Sequence, residues 1–224
     1  MLGRHLLYQS GPPIPVGEKW TFTSNSSWDV PATGKYKITL VGAGGKGGAG
    51  SALTEEYYHM GGYCRACDYA RSGSGGGGGA GQTVVQTCTL KKGSTIQIEI
   101  GKANSNPSKI TGAVEVTANG GLPGGNASRN TSYMGGSNSC MNGKSCQSGV
   151  AAGTVASNYG TGGSSGRISP NDSSVPSGGA GKVSDYGNGY GSGGRGGNGA
   201  KYGTAQTSGS NGTAGICVIE YIWR

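Results

Sequence analysis

The stretch KYKITLVGAGGKGGAG, residues 35–50, decides how the chain folds. It passes from an alternating segment into Gly42-Ala43-Gly44-Gly45-Lys46-Gly47, which satisfies the dinucleotide-binding pattern G-x-G-x-x-G. That pattern needs a strand buried on both faces before it. It also needs a helix at its third glycine, whose amides would hold a pyrophosphate. Tyr36, Ile38 and Leu40 instead alternate with Lys35, Lys37 and Thr39, which describes a strand with one apolar and one wet face. Beyond Gly47 come Gly48, Ala49, Gly50 and Ser51, where each glycine would cost a helix about 1 kcal/mol. SALTEEYYHM (51–60) is long enough for two or three helical turns but carries no apolar stripe. The acid due about 20 residues on, Asp68, lies in CRACDYARSG (64–73), which does not read as a strand. Glycine here serves something other than a nucleotide.

Glycine supplies 50 of the 224 residues, about three times the ordinary share of ~7%. Apolar residues make up 33%, with Phe22 the single phenylalanine. That suffices for a core of about a hundred residues, so the remainder must be organised without one. The formal charge is +8, yet the 18 Lys and Arg are scattered and no run exceeds Lys91-Lys92. A nucleic-acid binder would gather its cations on one face, whereas a diffuse positive balance suits an anionic surface such as bacterial polysaccharide. Residues 1–17, MLGRHLLYQSGPPIPVG, lack the apolar core of a signal peptide, and no stretch approaches the ~20 apolar residues of a membrane span. The expectation is a chain made in a cytoplasm, without membrane insertion or nucleic acid. Its Pro-bearing arm (Pro12, Pro13, Pro15) reads either as an attachment to a neighbour or as a frayed terminus.

Strand signals cluster. EKWTFTSNSSWDVP offers Trp20 and Phe22 on one face, a turn at Ser24–Ser27, then Trp28 and Val30. KYKITLVG follows. QTVVQTCTLKKGSTIQIEIGKA reads as two strands around Lys91-Lys92-Gly93, AVEVTA (113–118) as another, and GICVIEYIW, apolar on both faces, as a central strand. Six or seven strands and no convincing helix predict an all-β, antiparallel, jelly-roll-like sandwich built from 18–41, 82–118 and 215–224. Two glycine-rich insertions, 42–81 and 119–214, hold every glycine except those at 3, 11, 17, 34, 93, 101, 112 and 215. A loop of that length without structure is unusual in a compact domain. Polyproline-II-like strands have three residues per turn and no internal hydrogen bonds, so their backbones can pair laterally where only glycine permits the approach. The insertions are therefore expected to pack as polyglycine II helices, with the residues between glycine runs presented as a cluster of loops.

Three stretches together resemble the glycine-rich domain of bacteriophage tail and fibre proteins. They are TFTSNSSWDVPATGKYKITLVGAGGKGG (21–48), GAGQTVVQTCTLKKGSTIQIEIG (79–101), and VEVTANGG (114–121) with TAGICVIEYIW (213–223). The resemblance covers residues 18–118 and 213–224; residues 122–212 match in texture alone, a texture like that of polyglycine-helix phage adhesins. It implies a non-enzymatic virion protein, a receptor-binding adhesin or tail-fibre tip that recognises host polysaccharide or an outer protein. Its N-terminal arm would hold other virion proteins, and a homotrimer would be compatible with it. The alternative is a structural decoration or head-fibre protein without receptor binding.

Candidate contact residues follow from the loops. Tyrosine gives a rigid amphipathic surface at low entropic cost, and nine of the twelve fall in the two insertions: Tyr57, Tyr58, Tyr63, Tyr69, Tyr133, Tyr159, Tyr186, Tyr190 and Tyr202. All of these except Tyr202, with His59, Arg65, Arg71 and Met134, form the receptor-binding set, although any one ring could instead serve as packing for the insertions. Cys64-x2-Cys67 and Cys140-x5-Cys146 can form disulfides, can remain free, or can bind zinc as four thiolates, the second spacing being loose for that purpose. Cys88 and Cys217 fall on core strands as small hydrophobes, or as a disulfide if their strands are neighbours. Ten carboxylates without an acid–base pair and two histidines, His5 and His59, give no expectation of catalysis or of an organic cofactor.

Overall fold

The alternation that starts at Lys35 becomes a strand because only a pleated backbone can bury Tyr36, Ile38 and Leu40 together while leaving Lys37 in water. The computed structural model describes residues 14–52, 54–60, 63–131, 144–147, 165–168, 177–201 and 204–223. Over 54–71, 128–131, 144–147 and 165–168 the description is of the backbone. In chain order the strands are β1 (Lys19–Phe22), β2 (Ser26–Asp29), β3 (Gly34–Val41), β4 (Thr54–Met60), β5 (Tyr63–Gly73), β6 (Thr83–Leu90) and β7 (Thr95–Glu99). They continue as β8 (Ser108–Gly112), β9 (Val116–Ala118), β10 (Ser128–Thr131), β11 (Lys144–Gln147), β12 (Ser165–Ile168) and β13 (Ile216–Trp223). No helix occurs among the described residues.

Eight strands form two antiparallel sheets of four, ordered β1-β13-β3-β6 and β2-β7-β8-β9. Their facing sides share one apolar core of Trp28, Val30, Tyr36, Ile38, Leu40, Leu90, Ile96, Ile98, Ile110, Val116 and Ile219. Aromatic rings close one part of it: Trp28 lies 5.1 Å from Trp20 and 5.8 Å from Tyr36 between centroids, and Phe22 meets it edge-on at 6.5 Å. The Tyr36 hydroxyl donates to the Ala32 carbonyl at 2.7 Å, so the ring is buried without orphaning its polar end. Burial raises the Tyr36 pKa, and that hydrogen bond partly opposes the rise. As its two apolar faces predict, β13 is central, paired with β1 on one side and β3 on the other.

Several expectations need correction. CRACDYARSG is a strand after all, most of β5, and SALTEEYYHM, which carries no helical stripe, supplies β4. Four of the nine tyrosines assigned to loops, Tyr57, Tyr58, Tyr63 and Tyr69, therefore sit on strands. Strand β8 was not foreseen. Its core-facing positions are Ser108 and Ile110, and a serine there breaks the apolar alternation. Ser108 is buried because its hydroxyl donates to the Val41 carbonyl (2.7 Å) and accepts from the Gly101 amide (2.9 Å). Of AVEVTA only Val116–Ala118 is strand, because Gly112, at φ +108°, first turns the chain.

Cys88 and Cys217 are free thiols, and β3 lies between their strands: Cys88 stands opposite Tyr36 and Cys217 opposite Leu40. Burial raises both thiols, pushing Cys217 up to about 12 from an ordinary 9.0. The sign follows directly. An unfolded chain loses this proton near pH 9 and the folded chain keeps it, so stability is complete below pH 9 and is lost as pH rises toward 12. Cys217 alone is expected to contribute a slope of about 1.4 kcal/mol per pH unit. Urea denaturation between pH 9 and 11 checks this: Cys217→Ala should flatten the decline by that amount. A native Cys217 should also resist alkylation at pH 8.

Candidate functional site

Between the two sheets and the far end of the molecule run six glycine-rich segments: 42–51, 73–82, 119–127, 177–184, 191–201 and 204–215. Four of them leave or join the sandwich at one end, and 177–184 and 191–201 are joined to each other there, so the chain passes alternately away from the sandwich and back. Their backbones bond to one another every third residue. The amides of Gly42, Gly45, Gly48 and Ser51 donate to the carbonyls of Gln82, Gly79, Gly76 and Gly73. Gly75, Gly78 and Gly81 donate to Gly197, Gly194 and Gly191, while Gly194, Gly197 and Ala200 donate to Gly45, Gly48 and Ser51. Segments 42–51, 73–82 and 191–201 are thus mutual neighbours. Segment 119–127 bonds to the first two, 177–184 to the last two, and 204–215 to the first and third. Six rods arranged in this way form a triangular array, three at the corners and three along the edges.

Glycine is required where rods touch. A Cβ at Gly45 would lie 2.0 Å from the Leu122 carbonyl oxygen, and one at Gly44 would lie 1.9 Å from that of Ser192. Nothing in a rigid backbone can yield that far. Where a corner rod faces an edge rod, hydroxyls extend the same repeat. Thr207, Ser210 and Thr213 donate their amides to the carbonyls of Asn198, Arg195 and Ser192, and their Oγ atoms accept the amides of those same residues. The Asn126 and Asn198 carboxamide oxygens likewise accept from the Ala49 and Gly178 amides. These polar partners went unrecognised in the sequence, although Thr-x-x-Ser-x-x-Thr at 207–213 displays the three-residue period openly.

The array ends away from the sandwich in a buried serine pair. The Ser72 hydroxyl donates to the Ser51 carbonyl (2.9 Å) and accepts from the Ala200 amide (2.7 Å), while Ser51 Oγ accepts from Gly73 (2.9 Å). Beyond it stand the remaining strands. β4 pairs with β5, β12 adds to the other edge of β5, and β10 pairs with β11, which lies beside β5 and β4. Register places Tyr58 opposite Arg65, His59 opposite Cys64, Tyr57 opposite Ala66, and Arg71 opposite both Thr54 and Arg167. Cys67 and Tyr69 lie where β5 is irregular, between the pairs Tyr57–Ala66 and Glu55–Ala70. Cys146 is opposite Arg129. Cys140, Tyr133, Met134, Tyr159 and Tyr202 lie outside the described residues, as does most of the 1–17 arm.

Two predicted contact residues part from this group. Tyr186 and Tyr190, rings 6.4 Å apart and edge-on, belong to the link between 177–184 and 191–201 at the sandwich end of the array. Gly187, Asn188 and Gly189 all take positive φ there, and the Ser184 hydroxyl donates to the Tyr190 carbonyl. Among the described side chains no group of three or more His, Cys, Asp or Glu is placed to hold a metal ion. The depressions found among the described residues are shallow: one of about 330 Å³ is lined by Asn25, Ile100 and Lys102, another of about 230 Å³ by Arg195, Asn198 and Thr207. No protein-family model and no curated protein matches the chain.

Proposed function

We propose that the protein is a non-enzymatic bacteriophage virion protein, a receptor-binding adhesin at a tail or surface fibre. In this reading the sandwich is a jelly roll, and the two glycine-rich insertions are polyglycine II helices. These helices make a stiff stalk for the distal strands, and the arm 1–17 fastens the protein to other virion proteins. One observation carries the reading: the chain spends about a quarter of its length on a backbone-bonded glycine scaffold whose far end collects Tyr57, Tyr58, His59, Tyr63, Arg65, Tyr69 and Arg71. A scaffold of glycine offers few side chains of its own, so any specific contact falls to the strands it carries. The occupant is the host surface, polysaccharide or outer protein. The described rods bear Lys46, Lys182, Arg195 and Lys201, with Asp185 in the link beside them, a balance that favours an anionic polysaccharide.

The two groups of tyrosines provide the test. The isolated chain should bind cells of the host strain. Replacing Tyr57, Tyr58 and Arg65 by alanine should weaken binding at least about tenfold, as loss of an aromatic and arginine hot spot does. Tyr186→Ala with Tyr190→Ala, at the opposite end, should leave binding within about twofold. Equal losses from both sets would remove the distal assignment. Normal adsorption by virions lacking the chain would leave it a decoration protein.

A further inference from the structure

Five asparagines precede a glycine in this chain: Asn119, Asn142, Asn188, Asn198 and Asn211. Such a peptide can attack itself, because a glycine amide nitrogen that has lost its proton to base can add to the asparagine Cγ. The attack is intramolecular, so it needs a backbone free to swing until the two atoms meet. Asn142 lies outside the described residues, and the other four differ sharply in that freedom. Three belong to rods. The Asn198 amide donates to Thr207 Oγ1 (2.8 Å), and its carboxamide oxygen accepts from the Gly178 amide (3.0 Å). The Asn119 amide donates to Gln82 Oε1 (3.1 Å), and its carbonyl accepts from the Gln82 amide (2.8 Å). The glycines that follow are wedged: a Cβ at Gly120, Gly199 or Gly212 would strike the Ser105 carbonyl, the Ser72 hydroxyl or the Gly44 carbonyl. Turning any of these peptides means parting the array.

Asn188 stands in the link between 177–184 and 191–201, where it and Gly189 are exposed. The ends of this turn are held, by the Gly187 amide on the Ser184 carbonyl (3.0 Å) and the Tyr190 amide on the Gly187 carbonyl (3.2 Å). Between them, Asn188 and Gly189 make no hydrogen bond among the described residues. Nothing lies within 4 Å of a Cβ at Gly187 or Gly189. Asn188 also keeps φ +50°, which an asparagine holds at a small cost, so swinging the peptide relieves strain. We infer that Asn188 is a self-modifying site, where the chain deamidates to aspartate and isoaspartate as it ages. The Gly189 nitrogen bonds to Cγ, the Cγ–Nδ2 bond breaks, and the proton lost to base departs with that nitrogen as ammonia. Solvent water then opens the resulting succinimide at either carbonyl. Opening at the backbone carbonyl leaves isoaspartate, which carries the chain through one more carbon. No electrons are exchanged with a partner, and nothing but water is consumed. Each event subtracts one from the formal charge of +8, in the turn that holds Asp185, Tyr186 and Tyr190. The rods stay in phase, since the link lies outside their bonding. The inference is independent of what the distal end recognises.

Peptide mapping by mass spectrometry of the full chain, aged in mildly alkaline heavy-oxygen water, tests it. The peptide carrying Asn188 should lose ammonia and gain one heavy oxygen at least about tenfold faster than those carrying Asn119, Asn198 and Asn211. In urea the four should convert at rates within about threefold of one another, because packing no longer distinguishes them. Asn188→Gln should remove the acidic species whose appearance on ion exchange keeps pace with that peptide, since the longer side chain closes its ring far more slowly. Protection of Cys217 from alkylation reports that chain and variant are folded. Equal rates at all four sites in the folded chain would overturn the assignment. So would an Asn188 that stays intact in a folded chain whose unfolded form converts.

Discussion

Gly78→Ala is expected to destabilise the glycine array by about 3–5 kcal/mol, far beyond the usual cost of that substitution. Its Cβ would stand 2.2 Å from the Gly45 carbonyl oxygen and 2.7 Å from the carbonyl carbon. Rods 42–51 and 73–82 must move apart by about an ångström to admit it. That movement stretches the hydrogen bonds from Gly45 to Gly79 (2.9 Å) and from Gly48 to Gly76 (2.8 Å), and disturbs the bond from Gly78 to Gly194 (2.8 Å). Each such bond is worth about 1 kcal/mol net, and an unsatisfied buried partner costs more. Gly93→Ala is the comparison. Gly93 has φ +81° with nothing within 4 Å of an added Cβ, so it loses only conformational ease, roughly 1–2 kcal/mol. Hydrogen exchange separates the outcomes: in Gly78→Ala the amides of Gly45, Gly48 and residue 78 should lose protection while those of β3 and β13 keep theirs. If Gly78→Ala proves as mild as Gly93→Ala, the rods are not in contact.

Trp28→Ala should remove about 3–5 kcal/mol from the sandwich, the usual cost of deleting a large aromatic from a core. Trp28 is 9% exposed and touches three other rings: Trp20, Phe22 and Tyr36. Both sheets meet in this group, since β2 carries Trp28 while β1 and β3 carry the rings it faces. The vacated space cannot close without drawing β2 away from β7, to which it is bonded from Ser26 to Asp29. Urea titration followed by tryptophan fluorescence should show the midpoint fall with an unchanged slope. A loss below about 1 kcal/mol would mean that the sheets do not meet there.

The sandwich was largely legible and the glycine array only in outline. In β3 and β7 an apolar residue recurs at every second position, and burial follows it without exception at Tyr36, Ile38, Leu40, Ile96 and Ile98. β8 escaped because Ser108 takes a core position and meets its hydrogen-bonding needs through Val41 and Gly101, partners far away or invisible in a local pattern. β4 and β5 escaped because TEEYYHM and YCRACDYARSG lack alternation, so nothing local separates strand from turn. In the array, a run such as Gly75 to Gly79 carries no side chain to mark a period; hydroxyls at 207, 210 and 213 mark it once. Whether a link lies near the sandwich or far from it depends on how many passes precede it. Grouping Tyr186 and Tyr190 with Tyr57 required that count, and the tract from 119 to 214 contains four passes rather than one.

Three-residue bonding between alternating passes also bears on how such a protein can diverge. One or two residues added to a rod would throw its glycines out of step with every neighbour, and a triplet, although in phase, would leave one repeat without partners. Lengthening the shaft by one repeat, roughly 9 Å at 3.1 Å per residue, therefore demands matched additions in all six rods at once. The β4–β5 hairpin at the outer end faces no such requirement, because residues inserted there leave every rod in phase. Descent should accordingly preserve the reach of this molecule while exchanging freely what it holds out.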